Sequence, residues 1–181
     1  MCTNKDGGGG NIKASTSINV SSLPPLEGSP KQIAWAEEIR KNFVEEQNKK
    51  MREGDISRFE IKELYYNGAG IVGTRLNSIY DETPYVLKIR EIAQKQGISE
   101  GEARLEAESY INEVTHKNFI ECTEARKKAK SQGKSKEEIK KAEREVRKKL
   151  VPMYKQMLED SLKNGRRAKN AGDWIEAFKN G

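Results

Sequence analysis

The sequence predicts an all-α protein, and three observations carry that prediction. Helix-start signals recur: Ser29 with Gln32, Ser57 with Glu60, Ser99 with Glu102 and Ser135 with Glu138 each form a capping box, in which side chain and backbone satisfy one another across the first turn. Apolar residues behind these starts fall three and four apart, which gathers them on one helix face. Strand signals do not compete. Hydrophobic residues are 34% of the 181, aromatics 7% and charged residues another 34%, so few β-branched and aromatic side chains are available to fill a sandwich or barrel core.

Residues 1–28 are rich in Gly, Ser, Asn and Thr and carry Pro24 and Pro25 near their end. Such a stretch buries too little apolar area to offset chain entropy, so it predicts a disordered tail. Order then begins at Ser29, with Pro30 in the first helical position, where its missing N–H costs nothing. Ile33, Ala36, Ile39 and Phe43 recur at helical spacing, Trp35 reads as a packing residue beside them, and the helix runs to about Arg52 before Gly54. A second helix follows Ser57, with Ile56 stapled onto Ile61. Gly68, Gly70 and Gly73 break the pattern and predict a loop, then a short helix around Leu76 to Tyr80. Thr83-Pro84 opens a helix through Ile92 to Gln96. Together these make a small helical bundle over 29–96.

Residues 97–181 read as a long basic helical hairpin, coiled-coil-like, followed by a short terminal helix. Its first arm runs from about Gly101 to Ser131, the turn is Gln132-Gly133, and the second arm starts at Lys136. The line Ile139, Ala142, Val146, Leu150 and Met153 has a/d-like spacing. Pro152 removes a backbone donor and interrupts the arm, after which Met157, Leu158 and Leu162 resume the pattern to Gly165. Asp173 then caps a helix carrying Trp174, Ile175 and Phe178. So narrow a seam predicts self-association into a homodimer.

Little here suits catalysis. Gly68-Ala69-Gly70-Ile71-Val72-Gly73 matches the string that cradles a pyrophosphate, but that string needs a strand before it and a βαβ unit around it. The Ser57/Glu60 cap makes the preceding segment helical, which favours a glycine hinge. Cys2 and Cys122 do not make a disulfide framework, and with His116 they fall short of the about four ligands of a zinc site. His116 sits on a charged helix among Glu113, Lys117 and Glu121. The pairs Glu37-Glu38, Glu45-Glu46 and Glu137-Glu138 read as solvated faces. No catalytic, cofactor-binding or metal-ligating residue is assigned, and the chain reads as non-enzymatic and without a cofactor. No apolar run approaches the about 20 residues of a membrane span, mean hydropathy is -0.90, and the polar first ten residues carry no signal-peptide core. A cytoplasmic protein with no membrane partner is expected.

Charge is the most informative feature. The net charge is +6, yet residues 123–170 hold 17 basic and 7 acidic groups, a net +10, which leaves −4 for the rest. On the second arm Glu137→Lys141, Glu143→Arg147 and Glu145→Lys149 are i,i+4 pairs in the favourable order. Lys136, Lys140, Arg144 and Lys148 form a row without such an acid. Lys127, Lys128, Lys130 and Lys134 extend the field across the turn, with Arg166 and Arg167 further on. A row of this kind suits phosphates, whose neutralisation releases counterions; a solvated lysine-rich face fits the same pattern. Only Tyr154 is aromatic in this stretch, which disfavours base stacking. The expected partner is duplex DNA or an RNA backbone contacted without sequence preference, or else an acidic protein surface.

The segment Leu23-Pro24-Pro25-Leu26-Glu27-Gly28-Ser29-Pro30-Lys31-Gln32-Ile33-Ala34-Trp35-Ala36-Glu37-Glu38-Ile39-Arg40 resembles an N-terminal signature of small bacterial and phage or plasmid-borne proteins. Trp35 and Arg40 match that signature, and Asp173-Trp174-Ile175 looks like a shortened form of the late acidic-Trp-Ile element that many of them carry. The central glycine segment and the basic hairpin depart from it. In size, helical character and charge the chain is also similar to anti-CRISPR proteins of the type II inhibiting class. That resemblance implies a non-enzymatic mobile-element protein, working in the bacterial host cytoplasm. It would bind a type II CRISPR effector nuclease and compete with or grip DNA.

Overall fold

The computed structural model describes residues 17–68 and 83–179, and among them the chain is helical with no strand. Helix α1 spans Pro30–Glu53, α2 Arg58–Asn67, α3 Pro84–Gln96, α4 Glu100–Ser131, α5 Lys136–Arg147, α6 Val151–Asn164 and α7 Ala171–Lys179. All four capping boxes form reciprocally, at Ser29, Ser57, Ser99 and Ser135. The segment after Ser57 is therefore helix, as its cap predicts. The short helix expected around Leu76 to Tyr80 and the glycines after Gly68 lie outside the described residues. Pro152 acts as expected: α5 ends at Arg147, Lys148–Leu150 tightens into a 3-10 turn, and the proline falls in the first turn of α6.

One core runs through most of the molecule. Val44 and Met51 of α1, Leu64 of α2, Leu158 and Leu162 of α6, and Trp174 of α7 belong to one buried cluster. That cluster crosses from the 29–96 stretch into the predicted hairpin, from Ile111 of α4 to Leu162 of α6, and on to the terminal helix. Phe43 meets Trp174 edge-on, ring centroids 5.6 Å apart, and Phe178 at 6.1 Å; such pairs add about 1 kcal/mol each beyond the area they bury. The Tyr154 hydroxyl donates to Gln47 Oε1 at 2.6 Å and ties α6 to α1. The Tyr65 hydroxyl donates to the Ala107 carbonyl at 2.7 Å and ties α2 to α4. Burial pushes both phenols well above the ordinary tyrosine range. A smaller cluster of Ile89, Ile92, Ala93, Ala103 and Ala107 joins α3 to α4.

Three sequence expectations are corrected. Residues 17–28, assigned to a disordered tail, pack back along α1 as a strap; residues 1–16 lie outside the described residues. Ile18, Leu23 and Leu26 are buried. Asn48 pairs with both backbone groups of Ile18, at 2.7 and 3.0 Å, and Arg40 Nη1 donates to the Pro24 carbonyl at 2.7 Å. The strap ends by exchanging backbone hydrogen bonds with the α6–α7 connection, Glu27 N to Lys169 O at 2.8 Å and Ala171 N to Glu27 O at 2.9 Å. Three apolar side chains suffice because α1 supplies polar partners for the strap backbone, although Arg40 Nε itself is buried without a hydrogen-bond partner among the described residues. Trp35, read as a packing residue, is 56% exposed; its neighbours Ala36 and Arg40 take the buried face. The cap of α7 is Asn170, whose Oδ1 accepts from Asp173 N at 3.0 Å. Asp173 sits in the first turn, where a carboxylate favours the positive helix end.

Gly54 closes α1 in the left-handed region, φ 70°. A Cβ there would stand 2.4 Å from the Arg144 carbonyl oxygen of α5 and 2.9 Å from Lys148 Cγ. Gly54→Ala should therefore cost about 1–3 kcal/mol of stability, from the backbone strain together with displacement of α5. Chemical denaturation measures it, and a change within a few tenths of a kcal/mol would contradict the close approach.

Candidate functional site

Helices α4 and α5 form an arm. Its tip is a tight reversal: Gly133 adopts φ 71°, Lys134 N donates to the Ala129 carbonyl at 3.1 Å, and Ser135 then caps α5. The seam is built from small residues of α4, with Cys122 and Ala129 buried. Facing them, Ile139, Ala142 and Val146 are half-buried and only Leu150, beyond α5, is buried. The predicted line is thus the right one but shallow, because two helices alone cannot enclose their shared seam. Asn118 Nδ2 donates to the Val146 carbonyl at 3.0 Å and fixes the register. Cys122 Sγ lies 3.6 Å from Asn118 Oδ1 and 3.7 Å from the Glu143 carbonyl, and burial pushes its thiol up from the ordinary cysteine value.

The ion pairs differ in part from the sequence pattern. Glu143 takes Arg147, as expected, at 3.8 Å and also Arg126 of α4 at 3.7 Å. Glu145 pairs at 2.7 Å with Lys148, so Lys148 is not the unpaired end of a row. Lys149 reaches Glu121 on α4 at 3.1 Å instead. The physical reason is the 3-10 turn at Lys148–Leu150, which rotates Lys149 off the α-helical track of Glu145. No ion pair within 4 Å joins Glu137 to Lys141 among the described residues. What remains of the row is Lys136, Lys140 and Arg144, all exposed.

The other predicted cations separate into three places. Lys127 and Lys130 are exposed on α4. Lys128 and Lys134 line a groove of about 440 Å³ on one flank of the arm, together with Lys141, Glu138 and Glu145, so their charge is shared with carboxylates. Arg166 and Arg167 are not brought to the arm. They adjoin the α6–α7 connection, which bonds to Glu27 just before α1, whereas Arg144 touches Gly54 just after it. A helix of 24 residues holds those two ends about 36 Å apart.

Structure and spacing together define a more continuous surface. Lys136, Lys140, Glu143 and Arg147 share one face of α5 at i, i+4, i+7 and i+11. Phe119, Thr123, Arg126 and Lys130 do the same on α4. The Arg126–Glu143–Arg147 pairing joins the two ridges. Both ridges descend to a cleft of about 530 Å³ at the root of the arm, where Phe119 and Arg147 meet Arg58, Phe59 and Lys62 of α2. Arg126, Arg147, Arg58 and Lys62 are the functional candidates that a search along single helices misses. The i+7 and i+11 spacing of Arg126 and Lys130 behind Phe119 was the available signal; the contribution of α2 had none.

Among the described residues no group of three or more His, Cys, Asp or Glu side chains is placed to hold a metal, and no helix is long and apolar enough to cross a membrane. No family model, curated protein or solved structure matches the chain.

Proposed function

We propose that the chain is a non-catalytic binding protein whose arm engages the phosphate backbone of duplex nucleic acid. The observation that supports this reading is the cationic face that Lys130, Arg126, Lys136, Lys140 and Arg147 build across two helices held in register. Along α5 Lys136 and Lys140 stand about 6 Å apart on the helix axis and Arg147 about 10 Å further on, a spacing suited to successive charges rather than to one point anion. Contacts of this kind carry affinity without sequence preference and weaken steeply with salt. In fluorescence anisotropy with a labelled blunt duplex of about twenty base pairs, each phosphate contact contributes about 0.9 to the slope of log K against log salt. The K136A/K140A double variant should lower that slope by about 2, while R166A/R167A, at the far end of α1, leaves it unchanged. Absence of binding, or a slope indifferent to K136A/K140A, would overturn the reading.

A second, more specific reading rests on the resemblance to type II anti-CRISPR proteins. Within the shared signature, Leu23, Leu26 and Arg40 serve the strap, whereas Trp35 faces solvent and is 56% exposed. A large exposed aromatic in a packed signature is suited to a protein partner, since tryptophan is enriched among residues that dominate binding energy. On this reading the protein inhibits an RNA-guided DNA nuclease by binding it, with the arm as a contact for duplex DNA. The purified protein in large excess should suppress programmed cleavage by a type II nuclease, and Trp35→Ala should weaken the effect about tenfold or more. Undiminished cleavage would exclude this reading and leave the backbone-binding one standing.

A further inference from the structure

We infer that the cleft at the root of the arm receives an unpaired base together with its phosphate, so that the ligand is a nucleic-acid strand with a single-stranded end. The inference rests on the backbone-binding reading of the arm and specifies which form of nucleic acid the surface fits.

The cleft is a built concavity. Its volume of about 530 Å³ lies within the range of small-ligand sites, about 300–1,000 Å³, and accommodates one nucleotide but not a duplex. Its depth is apolar, with Ile56 and Ile61 both buried. At the mouth stand two phenyl rings that the fold does not bury: Phe59 is 74% exposed and Phe119 is 42% exposed. Arg58 Cζ lies 3.9 Å from the centroid of the Phe119 ring, so the guanidinium and the ring form a layered platform. Aromatic rings and guanidinium planes are the surfaces on which unstacked bases are held.

Charge complementarity selects the occupant. Arg58, Lys62 and Arg147 line the cleft, and no carboxylate does so among the described residues. Arg147 lies 3.8 Å from Glu143, but neither Arg58 nor Lys62 has an ion-pair partner among the described residues. An uncharged apolar peptide would leave these cations unused, and a bare phosphate would leave the two rings unused. An anion with a flat apolar body uses both. Arg147 also ends the ridge that begins at Lys136 and Lys140, so the occupant is continuous with a chain of further negative charges along the arm. That combination is met by the terminal unpaired nucleotide of a strand whose paired portion lies on the arm.

The test is fluorescence anisotropy with the full chain and three labelled probes of one sequence: a blunt duplex, the same duplex with a short single-stranded overhang, and the single strand. The overhang should tighten binding about tenfold over the blunt duplex. Phe59→Ala should abolish that advantage without changing blunt-duplex affinity. Because Phe59 is largely exposed, its removal leaves the fold intact, which a thermal melt checks; Arg58→Ala provides an independent second variant. Equal binding of blunt and overhang probes, with both sensitive to K136A/K140A, would overturn the inference and leave the arm reading standing. An overhang advantage that survives both Phe59→Ala and Arg58→Ala would also overturn it. Tight single-strand binding lost in Phe59→Ala, with no blunt-duplex binding, would uphold the cleft and overturn the duplex reading. Binding of no probe would overturn both.

Discussion

The carbonyl oxygen of Arg144 occupies the space where a side chain on Gly54 would begin, and the geometry of the arm follows from that close approach. It brings α5 directly against the end of α1. Arg147, three residues beyond Arg144, is thereby delivered to the start of α2, since Gly54 and Ser57 are separated by only two residues. A residue with a Cβ at position 54 would separate α5 from α1 and open the cleft. At the other end of α1 the strap and α7 close the fold, with Glu27 bonded to both sides of the α6–α7 connection. A single long helix therefore spaces two differently used ends, an apolar closure at one and a cationic arm at the other.

The polarity of charge along the chain becomes a polarity in space, though not the one that counting alone suggests. Several basic residues of the 123–170 stretch are neutralised locally. Lys148 pairs with Glu145, Lys149 with Glu121, and Lys163 lies 3.6 Å from Glu159. Exposed pairs of this kind contribute little to stability, but they remove charge from the outward field. Uncompensated cations remain on the face of Lys130, Lys136 and Lys140, at exposed Lys127 and Arg144, and at the root of the arm, where α2 adds Arg58 and Lys62. Two cations from a part of the chain that is net acidic thus join the basic surface.

Local signals in the sequence were strong enough to place the described helices to within a few residues, because each capping box is a short-range interaction whose partners are three residues apart. The interruption at Pro152 was legible for the same reason. Features that depend on distant partners were not. The strap is polar in composition, and only Asn48 and Arg40, some thirty and sixteen positions away along the chain, give it a reason to fold. Trp35 has the residue type of a core side chain but lies outside the buried Ala36–Arg40–Phe43 face. The cationic row was visible along α5 as an i,i+4 repeat. Its true extent, across α4 and onto α2, depends on the register that Asn118 sets with Val146 and on a turn whose twist redirects Lys149. Phe59 and Phe119 are sixty residues apart in sequence and line the same cleft, so an aromatic surface beside the basic arm could not be read from the composition of the arm.

The central claim is that nucleic acid lies along one face of the arm. Lysine acetylation footprinting by mass spectrometry, with and without a short duplex, tests it most directly, because each lysine reports its own accessibility. The account predicts protection of Lys130, Lys136 and Lys140 on addition of duplex, with Lys31, Lys41 and Lys95 acetylated as before. Protection spread evenly over all exposed lysines, or confined to Lys31 and Lys41 on α1, would contradict it.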